Sequence, residues 1–148
     1  MTPPDDPLGS APAHGGVGGK SRERAAANGV EGQGSIVHPA YSGVTLGLFH
    51  GSVPHALVLC HRVGTTEVEG YPGHPLPSLR KLVALHEAMA LPARPATVAA
   101  IALNTLGLDD DAAVVASAEA TRETGLPAAD PVRDGSAELL DAVLSVTG

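Results

Sequence analysis

Two apolar runs set the limits on what this chain can become. His55-Ala56-Leu57-Val58-Leu59-Cys60-His61 lies between Pro54 and Arg62, and Thr97-Val98-Ala99-Ala100-Ile101-Ala102-Leu103 ends at Asn104. Each is too short for a buried helix and is flanked by residues that interrupt regular structure, so each reads as a strand buried on both faces. Such strands need helices to cover them. Ser78 is placed to cap a helix to about Ala90, with Leu79, Leu82, Val83, His86 and Ala90 on one face, and Pro92 and Pro95 end it. Asp109 to Asp111 form an acidic start that suits the helix dipole, and this second helix runs to Thr124 and stops at Gly125. Ala128-Ala129-Asp130 is a short extended piece before Pro131. A last helix, Gly135 to Ser145, buries Leu139, Leu140, Val143 and Leu144. Upstream, a short helix from Ser42 turns Val44, Leu46, Leu48 and Phe49 inward, and a further strand is expected near Val30.

Strand and helix alternate, which predicts an α/β fold with a parallel sheet of about three to four strands. The residue supply agrees. Aromatics are 2% of the chain while apolar residues are 43%, so the core is built from Val, Leu, Ile and Ala. A third of the first thirty residues are Gly or Pro, which predicts a disordered tail over 1–29 and a folded domain over 30–148.

Charge excludes one class of partner. The net charge is -7, and the acidic excess falls in residues 105–148. A basic footprint for nucleic acid is absent. No apolar stretch approaches the length of a membrane span, and the N-terminus lacks a secretory core, so a cytoplasmic protein is expected. Cys60 is the single cysteine; it excludes an internal disulfide and reads as a buried, inert thiol.

Ligands of open α/β sheets bind at the carboxyl ends of the strands. Four polar clusters are predicted there: Glu31-Gly32-Gln33-Gly34-Ser35, His61-Arg62, Asn104-Thr105 and Asp130-Pro131. Glu31 could bind a hard metal or take a proton from an amine, while the flanking glycines let backbone N–H groups approach a ligand; the same residues also suit a tight turn with an exposed acid. Asn104 could pair with a purine edge or simply cap the next turn. His61 and Arg62 could meet a carboxylate or phosphate. His38, His50 and His61 lack the helical pairing of a zinc site, so no metal centre is expected. His14-Gly15-Gly16-Val17-Gly18-Gly19-Lys20-Ser21 imitates a phosphate-binding loop, but His14 stands where glycine is required and no strand precedes it.

The strings EGQGSIVHPAYSGVTLGLFHG, HALVLCHR, PLPSLRKL, ALNT and GLPAADPVRDG resemble the D-glutamate N-acetyltransferase family over roughly residues 30–146. The resemblance implies a partial P-loop NTPase-like (Rossmann-like) three-layer sandwich. It also implies acetyl transfer from acetyl-coenzyme A to the amine of D-glutamate or a similar amino acid. EGQGS and the strand ending in Asn104 are also similar, more distantly, to dethiobiotin synthetase and cobyric acid synthase. In that wider class the glutamate supports a metal near phosphates and the asparagine reads adenine. Carried over, Glu31 and Asn104 become the leading functional residues, and by position Glu31 or His61 could take the proton as the catalytic base. Gly32, Gln33, Gly34, Ser35, His38, Arg62, Asn104 and Asp130 become candidate binding residues. The expected partners are a small amino acid and a nucleotide-bearing cosubstrate, with room for a homo-oligomer. Members of the family carry an N-terminal domain and a genuine P-loop that have no counterpart before Val30. A gene fragment, a misplaced start or a degenerate paralogue is therefore expected, with an unfilled sheet edge. The alternatives to acyl transfer are an ATP-dependent ligase of the dethiobiotin synthetase type, for which magnesium would be needed, and an inactive, partner-binding remnant.

Overall fold

The computed structural model describes residues 29–32 and 35–147. The tail over 1–28, the phosphate-loop-like string His14–Ser21, and Gln33 and Gly34 lie outside the described residues. The elements are α1 (Ser42–Ser52), β1 (Ala56–Arg62), α2 (Leu79–Ala88), β2 (Thr97–Asn104), α3 (Asp110–Thr124), β3 (Ala128–Ala129) and α4 (Ala137–Thr147). The three strands are parallel in the order β1-β2-β3. Helices α2 and α3 pack on each other and on one side of the sheet, and α4 crosses the other side over all three strands. This is the expected three-layer α/β arrangement. Residues 29–32 form no strand, so the one expected near Val30 is not found among the described residues, whose sheet has three strands.

Local chemistry explains the helix limits. The Ser78 hydroxyl accepts from Lys81 N at 3.4 Å and opens α2. The Asp109 carboxylate accepts from Ala112 N at 2.8 Å and opens α3. Gly125 closes α3 at φ 76°, where a side chain would be strained, and its N–H donates to Thr121 O at 2.7 Å.

The core lies on the α2/α3 side. Leu79 and Leu82 meet Val98, Ile101, Leu103, Ala120 and Ala128. Val98 and Ile101 have opposite parity along β2, yet share this side. The register explains it: Leu57 stands opposite Val98 but Val58 opposite Ala100, so Ala99 is an extra residue that turns Val98 back toward the helices. The α4 side is thinner, built from Ala100, Ala129 and Leu139 with Ala102 and Ala142 at its margin.

Three burial expectations fail for one reason: no layer among the described residues covers these surfaces. β1 is not buried on both faces: Val58 is 39% exposed, and Cys60 is exposed rather than sealed in. β2, between two strands, is the buried one, with Ala100 and Ile101 at 0%. α1 forms where expected but buries no residue, and Val44 is 64% exposed. On α4 Leu139 is buried, while Leu140 and Leu144 face solvent.

Candidate functional site

The carboxyl ends of β1 and β2 stand side by side, with Arg62 directly opposite Asn104 and Cys60 opposite Ala102. Val63 N continues the ladder by donating to Asn104 O at 3.0 Å. Partners in a parallel pair point to the same side, so Cys60, Arg62, Ala102 and Asn104 share the α4 side. The Asn104 side-chain oxygen accepts from Leu106 N at 3.0 Å and caps the turn beyond the strand. Its amide nitrogen has no partner among the described residues. The Arg62 guanidinium is likewise exposed and unpaired among them.

Glu31 lies within electrostatic reach of β1. Its carboxylate is near enough to Cys60 to act on the thiol, whose pKa is raised first by desolvation and then by the Glu31 charge. Gly32 runs beside α1, where an added Cβ would lie 3.9 Å from Leu48 Cδ2. Ser35 and His38 follow as a turn: His38 N donates to Ser35 O at 3.0 Å, and Val37 N donates to the Ser35 hydroxyl at 3.4 Å. His38 ties this turn to the loop after β1. Ala40 N donates to its Nδ1 at 3.2 Å, which makes Nε2 the protonated nitrogen that donates to Glu69 O, also at 3.2 Å. Its ring packs against Tyr41 and Tyr71 at 4.5 and 5.0 Å between centroids.

His61 faces the other way. It stands opposite Leu103 and lines a cavity of about 140 Å³ with Val63, Leu79, Leu103, Glu119 and Glu123. Burial lowers its pKa, against a smaller opposing pull from the Glu123 charge, so the imidazole is neutral at pH 7. His61 and Cys60, the residue on which the Glu31 charge acts, therefore point to opposite sides of β1.

Asp130 is engaged internally. One carboxylate oxygen accepts from Thr105 N at 3.0 Å and from the Thr105 hydroxyl, and the other accepts from Val132 N at 2.9 Å. The Thr105 hydroxyl bond is the main cause of its lowered pKa; burial works against it and backbone N–H groups add to it. Arg133 closes the cluster: Nε donates to the Thr105 hydroxyl at 2.8 Å, and its terminal nitrogens bond Asp110 and the Leu108 carbonyl. Sequence reasoning missed Arg133. The one signal was its place in Asp130-Pro131-Val132-Arg133-Asp134, three residues after an acid at the end of β3. Among the described residues no three His, Cys, Asp or Glu side chains are grouped to hold a metal. No helix among them is long and apolar enough to cross a membrane.

A parallel sheet between two helical layers, with its polar groups gathered on the carboxyl rim, is the architecture of nucleotide-handling α/β domains. Residues 19–140 match the DUF1611 family model described as a domain of unknown function (DUF1611_C), P-loop domain, and the chain belongs to this family. Two curated relatives are named D-glutamate N-acetyltransferase. The one from Tritonibacter scottomollicae is 41% identical over 118 residues, covering 79% of this chain and 35% of the relative. The one from a Pseudoalteromonas species is 38% identical over 107 residues, covering 72% and 32%. The crystal structure of a DUF1611 family protein from Anabaena variabilis ATCC 29413 superposes with a TM-score of 0.74 at 47% identity, covering 78% of this chain and 34% of that one. The chain therefore spans about a third of the length of the relatives it matches.

Proposed function

We propose that this chain carries one wall of an N-acyltransferase site, for acetyl transfer from acetyl-coenzyme A to the amine of D-glutamate or a similar amino acid. Support comes from the names of the two relatives and from one observation above all: Arg62 stands opposite Asn104 in the register, its guanidinium and the Asn104 amide nitrogen both without a partner among the described residues, with the Glu31 charge acting on neighbouring Cys60. Arg62 pairs with a carboxylate of the amino acid or a phosphate of the cosubstrate. Asn104 keeps an amide donor for an adenine edge. Glu31 takes one proton from the acceptor ammonium. The freed amine nitrogen then bonds the thioester carbon, the carbon–sulfur bond breaks and the thiolate leaves with the electron pair, and the second proton shed by the nitrogen passes to that thiolate.

The test is transfer of labelled acetyl from acetyl-coenzyme A to D-glutamate by the longest form of the protein that turns over. Glu31→Gln is expected to lower kcat by at least ~10²-fold, and near-normal turnover would remove Glu31 from the mechanism. Arg62→Ala is expected to act mainly on KM.

The family description as a P-loop domain favours a second reading, an ATP-dependent ligase, in which Glu31 would support magnesium near phosphates. Isothermal titration separates them: heat from acetyl-coenzyme A and none from ATP with magnesium supports acyl transfer, and the reverse supports the ligase. Silence in both titrations supports a binding role without chemistry.

A further inference from the structure

We propose that His38 and His50 are positioning residues: they clasp the two ends of α1 to the loop after β1 and to the end of α2, and so fix where the segment bearing Glu31 and Gly32 stands. This rests on the reading of Glu31 as the base and supplies what holds that base in place. The observation is a pair of long-range bonds with the same chemistry. His38, in the turn that leads into α1, meets Glu69 O through Nε2 at 3.2 Å. His50, in the last turn of α1, meets Met89 O through Nε2 at 2.8 Å. A carbonyl oxygen only accepts, so each imidazole carries a proton on Nε2 and donates it.

Both anchors are firm. Met89 caps α2, the helix whose Leu79 and Leu82 enter the main core, and its carbonyl is among those that a helix end leaves without an internal partner. Glu69 lies in the loop 66–76, whose two sides are bridged antiparallel at Glu67 and Pro75. Leu76 N donates to Thr66 O at 2.8 Å, Val68 N to His74 O at 2.9 Å and Tyr71 N to Val68 O at 3.0 Å, with Val68 buried. Gly70 and Gly73 take φ 75° and 80°, which lets the chain reverse this tightly. On the α1 side, Val37 seats the same turn as His38 against the main core.

α1 in turn meets the segment that bears Glu31. A Cβ added at Gly32 would stand 3.9 Å from Leu48 Cδ2 on α1, an ordinary packing distance. The adjacent Glu31 is felt at Cys60 on β1, whose thiol pKa is raised first by burial and then by that charge. His38 keeps no ring nitrogen for a ligand, because Nδ1 accepts from Ala40 N. Histidine suits this post where neither amide side chain does. Its Nδ1 stands where an asparagine oxygen would close the turn, and its Nε2 reaches as far as a glutamine nitrogen.

The experiment uses the full chain and reads Cys60, its single cysteine, through the pH profile of alkylation by iodoacetamide. Glu31→Gln is the reference, since it removes the charge. His38→Asn keeps the bond to Ala40 N but is too short for Glu69 O, and His50→Ala releases Met89 O. Each is expected to move the profile toward that of Glu31→Gln, with alkylation at pH 7 at least ~2-fold faster and an unchanged circular dichroism spectrum. His38→Gln, long enough for Glu69 O, is expected to keep the wild-type profile. In the Glu31→Gln background the histidine variants should change nothing further, which a general loosening of the fold would not produce. In acetyl transfer, His38→Asn should lower kcat at least ~10-fold with little change in KM. Histidine variants with the wild-type profile overturn the proposal. So does a shift that persists in the Glu31→Gln background, a His38→Gln chain as altered as His38→Asn, or a thiol indifferent to Glu31→Gln. Where one histidine variant fails to fold, the other carries the same prediction. Thiol shifts as expected in a chain that transfers no acetyl count against the acyl-transfer reading alone. Transfer lost in Glu31→Gln but untouched in the histidine variants, with unmoved thiol profiles, counts against the positioning role alone.

Discussion

Asp130 shows how a residue can be placed at a functional rim and still serve the fold. Its carboxylate receives the Thr105 amide and hydroxyl and the Val132 amide, and Arg133 approaches to 4.0 Å. These contacts favour the ionised form, so its folded pKa lies below the ordinary carboxylate value. The stabilisation is therefore complete above the unfolded pKa and is lost as pH falls through the folded one. Asp130→Ala is expected to cost about 1–3 kcal/mol at pH 7, toward the low end because the cluster lies close beneath the surface. The cost should shrink on acidification; urea midpoints at pH 7 and pH 3 check both, and a pH-independent loss would deny the charge its role. The type and position of Asp130 could be read from the sequence. Its donors could not, because Thr105 and Arg133 reach it only after β2 and β3 align. The same holds for Glu31 and Cys60, which are distant in sequence. Glu31→Gln removes one of the two causes that raise the thiol pKa. Iodoacetamide should then react faster with Cys60 below its pKa, measured at a concentration low enough to keep the chain dispersed. An unchanged rate would place the carboxylate away from the strand.

At the scale of elements, what was legible was what neighbours along the chain decide. α2 and α3 begin and end where Ser78, Asp109 and Gly125 direct, because caps act within one turn. Asp109→Ala is expected to lower stability by about 1 kcal/mol through the lost cap. Gly125→Ala should cost about as much again, since alanine must take φ 76°. Thermal melts of both variants and the double variant test this, and additive losses are expected because the two ends of α3 share no partner. Burial of an element was less legible. β1 and β2 both read as mainly apolar runs, yet only β2 is enclosed, because its position between strands is a property of the sheet. α1 carries an apolar sequence with no buried residue for the same reason: periodicity announces a face but not what covers it.

For the whole molecule, stability is graded from β2 outward. Ile101 and Val98 are nearly inaccessible and contact both the α2/α3 helices and the neighbouring strands, whereas α1 has no buried side chain. Hydrogen exchange should therefore be slowest in β2, intermediate in α2 and α3, and fastest in α1, because exchange there needs only local opening. Comparable exchange rates in α1 and β2 would contradict this gradient.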